Sequence, residues 1–299
     1  MASPELQALV AMLRSSPVVA SGSLEDGRKG LDAMSAMFPP PADVRFEAGV
    51  ASGVVIERAI PPGADPERTL LYLHGGGYVM GSLTSHRQLA ASVARAAGIT
   101  TVSVAYRLAP EHPFPAAIED ATAVYRWLLA QGSQPGRIAI LGDSAGGGLT
   151  VATLLALKAA GVPLPGAAVC LSPWVDLECT GASMASRAAV DPMLSRGMLL
   201  GMAAAYLAGA DPKSPLASPL HGDLAGLPPL LIQVGTAETL HDDAVRLHAR
   251  ALAAAVDVTL EPWEDMIHVW HAFPMLPEAQ RAVARIGEFV RAHLGVRAG

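Results

Sequence analysis

Gly142-Asp143-Ser144-Ala145-Gly146-Gly147-Gly148 is the stretch on which the reading of this chain turns. It follows Arg137-Ile138-Ala139-Ile140-Leu141, patterned as a short buried strand, and precedes Leu149–Leu157, patterned as a buried helix. A serine with a glycine two residues to either side, set between strand and helix, has the pattern of a nucleophile elbow. Such a turn strains the serine backbone. Glycines at 142 and 146 leave out Cβ atoms that would clash where strand and helix crowd together. The hydroxyl is then held at the top of a sheet, against a helix N-terminus that favours negative charge. Alone, the pattern also suits a plain glycine-rich turn or a loop that holds phosphate, so the surrounding chain has to decide.

Outward from this stretch, strand and helix patterns alternate. Thr69–Leu73, Thr100–Ala105, Ala167–Leu171, Pro229–Val234 and Val258–Glu261 read as strands. Between and after them, Ala117/Ala121/Val124/Leu128, Val245/Ala249/Leu252/Val256 and Val283/Ile286/Val290/Leu294 each mark one helical face. The alternation predicts a single α/β domain over residues 1–299, with a mostly parallel sheet covered by helices on both faces. Val44–Glu47 and Val54–Arg58 predict an antiparallel hairpin at one edge. Two segments stand outside the alternation, about 1–43 and about 182–216. Both are expected to cap the strand ends, where ligands bind in open α/β sheets.

Composition narrows the class. Of 299 residues, 51% are hydrophobic and 16% charged, which allows a sizeable core. The positive mean hydropathy comes partly from abundant alanine. Gly197–Ala210, the longest weakly polar stretch, falls short of the roughly 18–20 residues a membrane span needs, so no stable membrane insertion is expected. No basic segment precedes an apolar one at the N-terminus, where Leu6, Leu9, Val10 and Leu13 follow helical spacing instead. Cys170 and Cys179 are too few for a disulfide framework. A cytoplasmic location is expected. The net charge of −6, with no basic run, argues against nucleic acid as a partner.

His74-Gly75-Gly76-Gly77 follows the strand at 69–73, where glycines let backbone N–H groups come close to a developing oxyanion. A serine hydroxyl needs a base, and on such a sheet the chain order is serine, acid, histidine. His74, His86 and His112 precede Ser144; His221 precedes the strand expected to carry the acid. His241 follows too closely on that acid, and His248 and His293 lie on helix patterns. His268 and His271 remain. A metal reading of that pair lacks nearby partners. Glu238, just past the strand at 229–234, is the candidate acid. Asp242 and Asp243 are its rivals, although they look like first-turn residues that help to cap the next helix.

At these residues the chain resembles the bacterial hormone-sensitive-lipase-like carboxylesterases, also called family IV, of the α/β-hydrolase superfamily. The resemblance runs from about Leu70 to the C-terminus. It rests on His74–Gly77, Tyr106–Pro115, Gly142–Gly146, Ser172-Pro173, Ser218-Pro219, Leu227–Leu230 and Asp265-Met266-Ile267-His268. It implies an α/β-hydrolase fold with a helical cap. It also implies Ser144 as nucleophile, His268 rather than His271 as base, and the N–H groups of Gly76, Gly77 and Ala145 as oxyanion hole. Most members carry aspartate where this chain has Glu238, so the longer acid requires its loop to sit further back. His74 and Tyr106–Pro115 are expected to hold loops, with Asp143 supporting the site rather than reacting.

The implied activity is that of a serine carboxylesterase acting on a small ester through an acyl-enzyme, with short to medium acyl chains favoured. It calls for no metal or organic cofactor, and the resemblance allows a homodimer through the last strand. Tyr78, Met193, Met198, Met202 and Tyr206 are the candidate substrate-binding residues, with Met34 and Met37 contributed from the N-terminal segment. Thioether side chains suit irregular ligands. The alternatives are an amidase or peptidase using the same residues, which an anilide substrate distinguishes, and a non-catalytic binding protein on this fold.

Overall fold

The computed structural model describes residues 2–15 and 23–296. The strands are β1 (Arg45–Ala51), β2 (Val54–Ile60), β3 (Asp65–Leu73), β4 (Ile99–Val104), β5 (Ile138–Asp143), β6 (Ala167–Leu171), β7 (Leu230–Gly235) and β8 (Val258–Trp263). The helices are α1 (Pro4–Ser15), α2 (Leu24–Ala36), α3 (Leu83–Ala97), α4 (Ala116–Ala130), α5 (Ala145–Ala159), α6 (Ser183–Ser186), α7 (Arg196–Leu207), α8 (His241–Ala253) and α9 (Pro277–Leu294). One sheet takes the order β1-β2-β4-β3-β5-β6-β7-β8. β3 to β8 run parallel, while β2 lies antiparallel to β1 and β4. The edge hairpin expected from the sequence is therefore present. Its turn has positive φ at both Ser52 and Gly53, the geometry whose twist matches paired strands.

Two-residue periodicity sorts the strand side chains onto the two faces. Leu71, Leu73, Ile138, Ile140, Ala168 and Cys170 pack with α4, α5 and α8. Leu70, Tyr72, Ala139, Leu141, Val169 and Leu231 pack with α3 and α9. β5, β6 and β7 are buried along their whole length, as strands covered on both faces must be. β3 starts earlier than its apolar run, at Asp65, and its pairing with β4 shifts register between Asp65 and Thr69.

The first of the two segments outside the alternation contributes α1 and α2. Residues 1 and 16–22 of the first lie outside the described residues. Its α1 buries Leu6, Leu9 and Leu13 against Met266, Ile267, Trp270 and Phe273, the turn that follows β8. α2 begins with a capping box between Ser23 and Asp26. Arg28 pins it to the body: Nε donates to the Val79 carbonyl at 2.8 Å, and the guanidinium pairs with Glu111 at 2.7 Å. The second segment contributes α6 and α7. No helix among the described residues is long and apolar enough to cross a membrane.

Candidate active site

Because β3 to β8 are parallel, the segments after their C-terminal ends gather at one edge of the sheet. Ser144 stands alone between β5 and α5 with φ 55° and ψ −122°. That conformation costs a non-glycine residue about 1–3 kcal/mol, which the surrounding packing must offset. The glycines around it are sterically required. A Cβ on Gly142 would lie 2.1 Å from the Gly146 carbonyl oxygen, and one on Gly146 would lie 2.0 Å from that of Leu73.

The structure brings Ser144, His268 and Glu238 together. His268 Nε2 lies 2.9 Å from Ser144 Oγ, and His268 Nδ1 lies 2.6 Å from Glu238 Oε2. The carboxylate can only accept, so Nδ1 carries the proton and Nε2 is left to accept from the serine. Glu238 is wholly buried in the turn after β7. Its Oε1 receives the Gly235 N–H at 2.6 Å and the Ser172 hydroxyl at 2.8 Å. Burial of the His268 ring opposes its charge. The hydrogen bond to Glu238 and that carboxylate's charge outweigh burial and raise the imidazole above its ordinary pKa.

The glycine run after β3 faces the serine. Gly76 and Gly77 have φ of 113° and 63°, conformations that favour glycine. Among the described residues, the N–H groups of Gly76, Gly77 and Ala145 make no hydrogen bond. Asp143 braces this loop, accepting from Tyr72 Oη at 2.6 Å and from the Gly75 N–H at 3.1 Å. Burial opposes the charge of Asp143, but the adjacent His86 ring and the Tyr72 hydroxyl keep its pKa below the ordinary value. Tyr106 stacks on His74 at 4.2 Å and donates to its carbonyl at 2.6 Å.

The alternative residues have other partners. His271 is buried in a separate contact, its Nε2 2.9 Å from Gln233 Oε1, and burial pushes its pKa down to about 3. Asp243 accepts from the backbone N–H groups of Val175 and Asp176, and Asp242 from that of Ser183. The expectation that these aspartates cap α8 is therefore corrected. Both stand in the first turn of α8 as expected, but neither carboxylate bonds the helix N-terminus: they serve residues 175–183, Asp243 also pairs with Arg246, and it is the Ser183 hydroxyl that accepts from the Asp242 N–H.

The family described as having the alpha/beta hydrolase fold matches residues 70–272. An acetyl-hydrolase of Streptomyces hygroscopicus is 50% identical over 300 residues, covering 99% of each chain. An esterase of Acinetobacter venetianus is 37% identical over 267 residues, covering 88% of this chain and 87% of its own. The crystal structure of an esterase from the bacterial hormone-sensitive lipase family superposes with a TM-score of 0.97 at 51% identity, covering 99% of this chain and 100% of its own. This chain belongs to that family. A further structure, of EstE5 soaked with p-nitrophenyl butyrate, has a TM-score of 0.95 at 47% identity and covers 99% of this chain and 100% of its own.

In this hormone-sensitive-lipase-family protein, Ser144 and His268 open onto an apolar cavity. Its walls come from α2 (Leu31, Met34, Ser35), Phe38, the 182–216 segment (Met193, Leu194, Met198, Leu199, Met202) and Phe273. Gly76, Gly77 and Met80 border it as well. Of the candidate substrate-binding residues, Met193, Met198 and Met202 line this cavity. Tyr78 and Tyr206 do not. They stack on each other at 3.9 Å, buried behind the wall, and tie α7 to the glycine loop. Met37 is also displaced from its expected place, being 61% exposed.

Sequence reasoning gave no role in the site to three contributors. His86, set aside as a base, lines the cavity beside Asp143. Asp191 accepts from the N–H groups of Met193 and Leu194 and from that of Thr239, fastening the cavity wall to the residue after Glu238. Ser172 touches Glu238. His86 and Asp191 lie outside any spacing pattern, and only their tertiary partners mark them out; Ser172 belongs to the Ser172-Pro173 pair that carries the resemblance, but its contact with Glu238 is visible only in the fold.

Proposed function

We propose that this esterase hydrolyses short- to medium-chain acyl esters with Ser144 as nucleophile, His268 as general base and Glu238 as the carboxylate that orients it. The observation that carries the reading is the unbroken line from Ser144 Oγ through His268 to Glu238, at 2.9 and 2.6 Å, opening into an apolar cavity. His268 takes the serine proton as Oγ attacks the ester carbonyl. The oxyanion is received by the N–H groups of Gly76, Gly77 and Ala145, each such donor being worth roughly 10²–10³ in rate. His268 then protonates the leaving alcohol, and water activated by the same ring releases the acid.

In this reading α1, α2 and the 182–216 segment form the cap, and the acyl chain lies among its methionines. The p-nitrophenyl butyrate soaked into EstE5 is an ester of this size. The test is labelling with a fluorophosphonate, followed by peptide mapping, beside turnover of p-nitrophenyl esters from acetate to palmitate. One label per chain on Ser144 and fastest turnover below about ten carbons, where apolar contact with the cavity walls stops growing with chain length, is the expected result. A folded chain that neither labels nor turns over any ester sinks the proposal.

Phe38 meets Phe273 edge to face at 5.8 Å and closes one side of the cavity. Phe38→Ala is expected to raise KM for the hexanoate ester about four- to fifteen-fold, the equivalent of one or two buried methylenes. The acetate ester should lose little, since its acyl group ends short of that wall. Equal losses for both esters would place Phe38 outside the acyl path.

We also propose that a second copy of the chain pairs with the outer side of β8, the last strand of the sheet, a homodimer that the family resemblance allows. Light scattering checks this, and a monomer at working concentration removes it. Free, buried Cys170 and Cys179 suit a reducing compartment and support the cytoplasmic reading.

A further inference from the structure

Ser172 follows β6 and is wholly buried, with a φ of 45° that is uncommon for a residue with a side chain. Its N–H donates to the Gln233 carbonyl at 2.7 Å, which fixes its backbone to β7. The hydroxyl makes two further contacts of fixed direction. Its one proton goes to Glu238 Oε1 at 2.8 Å, because a carboxylate cannot donate. A lone pair receives the N–H of Val269 at 3.2 Å. Val269 directly follows His268 and is itself left-handed, with φ 46°. One oxygen atom thus holds both the acid and the backbone carrying the base.

We propose that Ser172 is a positioning residue for ester hydrolysis, a clasp that keeps the Glu238 carboxylate in line with His268. The inference rests on the assignment of Ser144, His268 and Glu238 given above. A glutamate has one more rotor than an aspartate, and each free rotor lets the carboxylate drift from the imidazole. The Gly235 N–H anchors Glu238 only to the turn that carries it. Ser172 anchors it to the histidine turn as well, so the acid and the base move together. The longer acid is thereby held where a shorter one needs fewer restraints.

The test is a set of four enzymes: wild type, Ser172→Ala, Glu238→Gln and the double variant, with Ser172→Gly prepared alongside. Glycine is unstrained at this φ, so it removes the hydroxyl without asking a new side chain to adopt it. Steady-state hydrolysis of p-nitrophenyl butyrate is read for each. Either Ser172 variant alone is expected to lower kcat about 10- to 100-fold, the scale of a misplacement near 1 Å, with KM changed by less than about two-fold. In the Glu238→Gln background the same change should cost less than about three-fold, because the group it aligned no longer functions. An equal loss in both backgrounds, or none in the wild type, overturns the inference alone. An undiminished kcat for Glu238→Gln overturns the acid assignment itself and this inference with it.

Discussion

Glutamine at position 238 should lower kcat by about 10²–10⁴-fold while KM changes little, on the scale set by loss of the carboxylate from other serine-histidine-acid sites. The surroundings of Glu238 say why so conservative a change is costly. Oε1 faces two donors, the Gly235 N–H and the Ser172 hydroxyl, so an amide would turn its oxygen towards them. Its NH₂ group would then face His268 Nδ1, where Oε2 now sits at 2.6 Å. A donor there forces the imidazole proton onto Nε2, and the nitrogen facing Ser144 can no longer accept.

The pH profile carries a second signature of the same change. In the proposed mechanism His268 must be neutral to act as base, so activity should fall as the pH drops through its pKa. Burial alone would lower that pKa, and the Glu238 partnership raises it above the ordinary histidine value of about 6.5. The acid limb of kcat/KM should therefore lie above about pH 6.5 in the wild type. With glutamine the burial remains and the charge is gone, so the limb should move to lower pH. Near-normal turnover with an unmoved limb would transfer the acid role to Asp242 or Asp243, although both already serve the 175–183 loop.

The other large effect is expected on folding. A Cβ at Gly146 would lie 2.0 Å from the Leu73 carbonyl oxygen and 2.6 Å from that of His74. Both obstacles are backbone atoms of β3 and the glycine run, which cannot swing aside as a flexible side chain can. Gly146→Ala should thus destabilise the chain by more than about 4 kcal/mol, among the largest single-residue effects, and yield little soluble protein. Gly201→Ala on α7 is the contrast. Nothing lies within 4 Å of its added methyl group, and alanine should stabilise that helix by roughly 0.5–1 kcal/mol. Thermal melts of both variants check the pair, and similar melting temperatures would refute the crowding argument.

The sheet was legible because its signals are local. β-branched runs ending in glycine, two-residue alternation and a serine between paired glycines each follow from backbone geometry alone. Chain order on a parallel sheet narrowed the line from Ser144 for a related reason, to Glu238 with Asp242 and Asp243 as rivals and to His268 or His271, and the family resemblance then pointed to His268. The cavity wall was not readable in the same way. Tyr78 sits beside the glycine run with φ 63°, and that turn sends its ring under α7 to meet Tyr206 rather than towards the ligand. Met34 and Met37 lie three residues apart in sequence, yet one lines the cavity and the other is exposed. Asp242 and Asp243 sit where capping residues belong, and only the 175–183 loop folded against them gives their carboxylates a different use. Tertiary partners of this kind leave no periodicity to read.

The packing of α1 has an operational consequence. A helix of 12 residues, held by Leu6, Leu9 and Leu13, is the kind of element that detaches well before the buried central strands melt. What it leaves bare is the apolar underside of the turn that carries His268. Heating would then silence the enzyme in advance of unfolding it, and cooling would restore activity as the helix returned to its seat. Handles or anchors fused ahead of Pro4 would pull on the same joint, acting on the base from the far end of the chain.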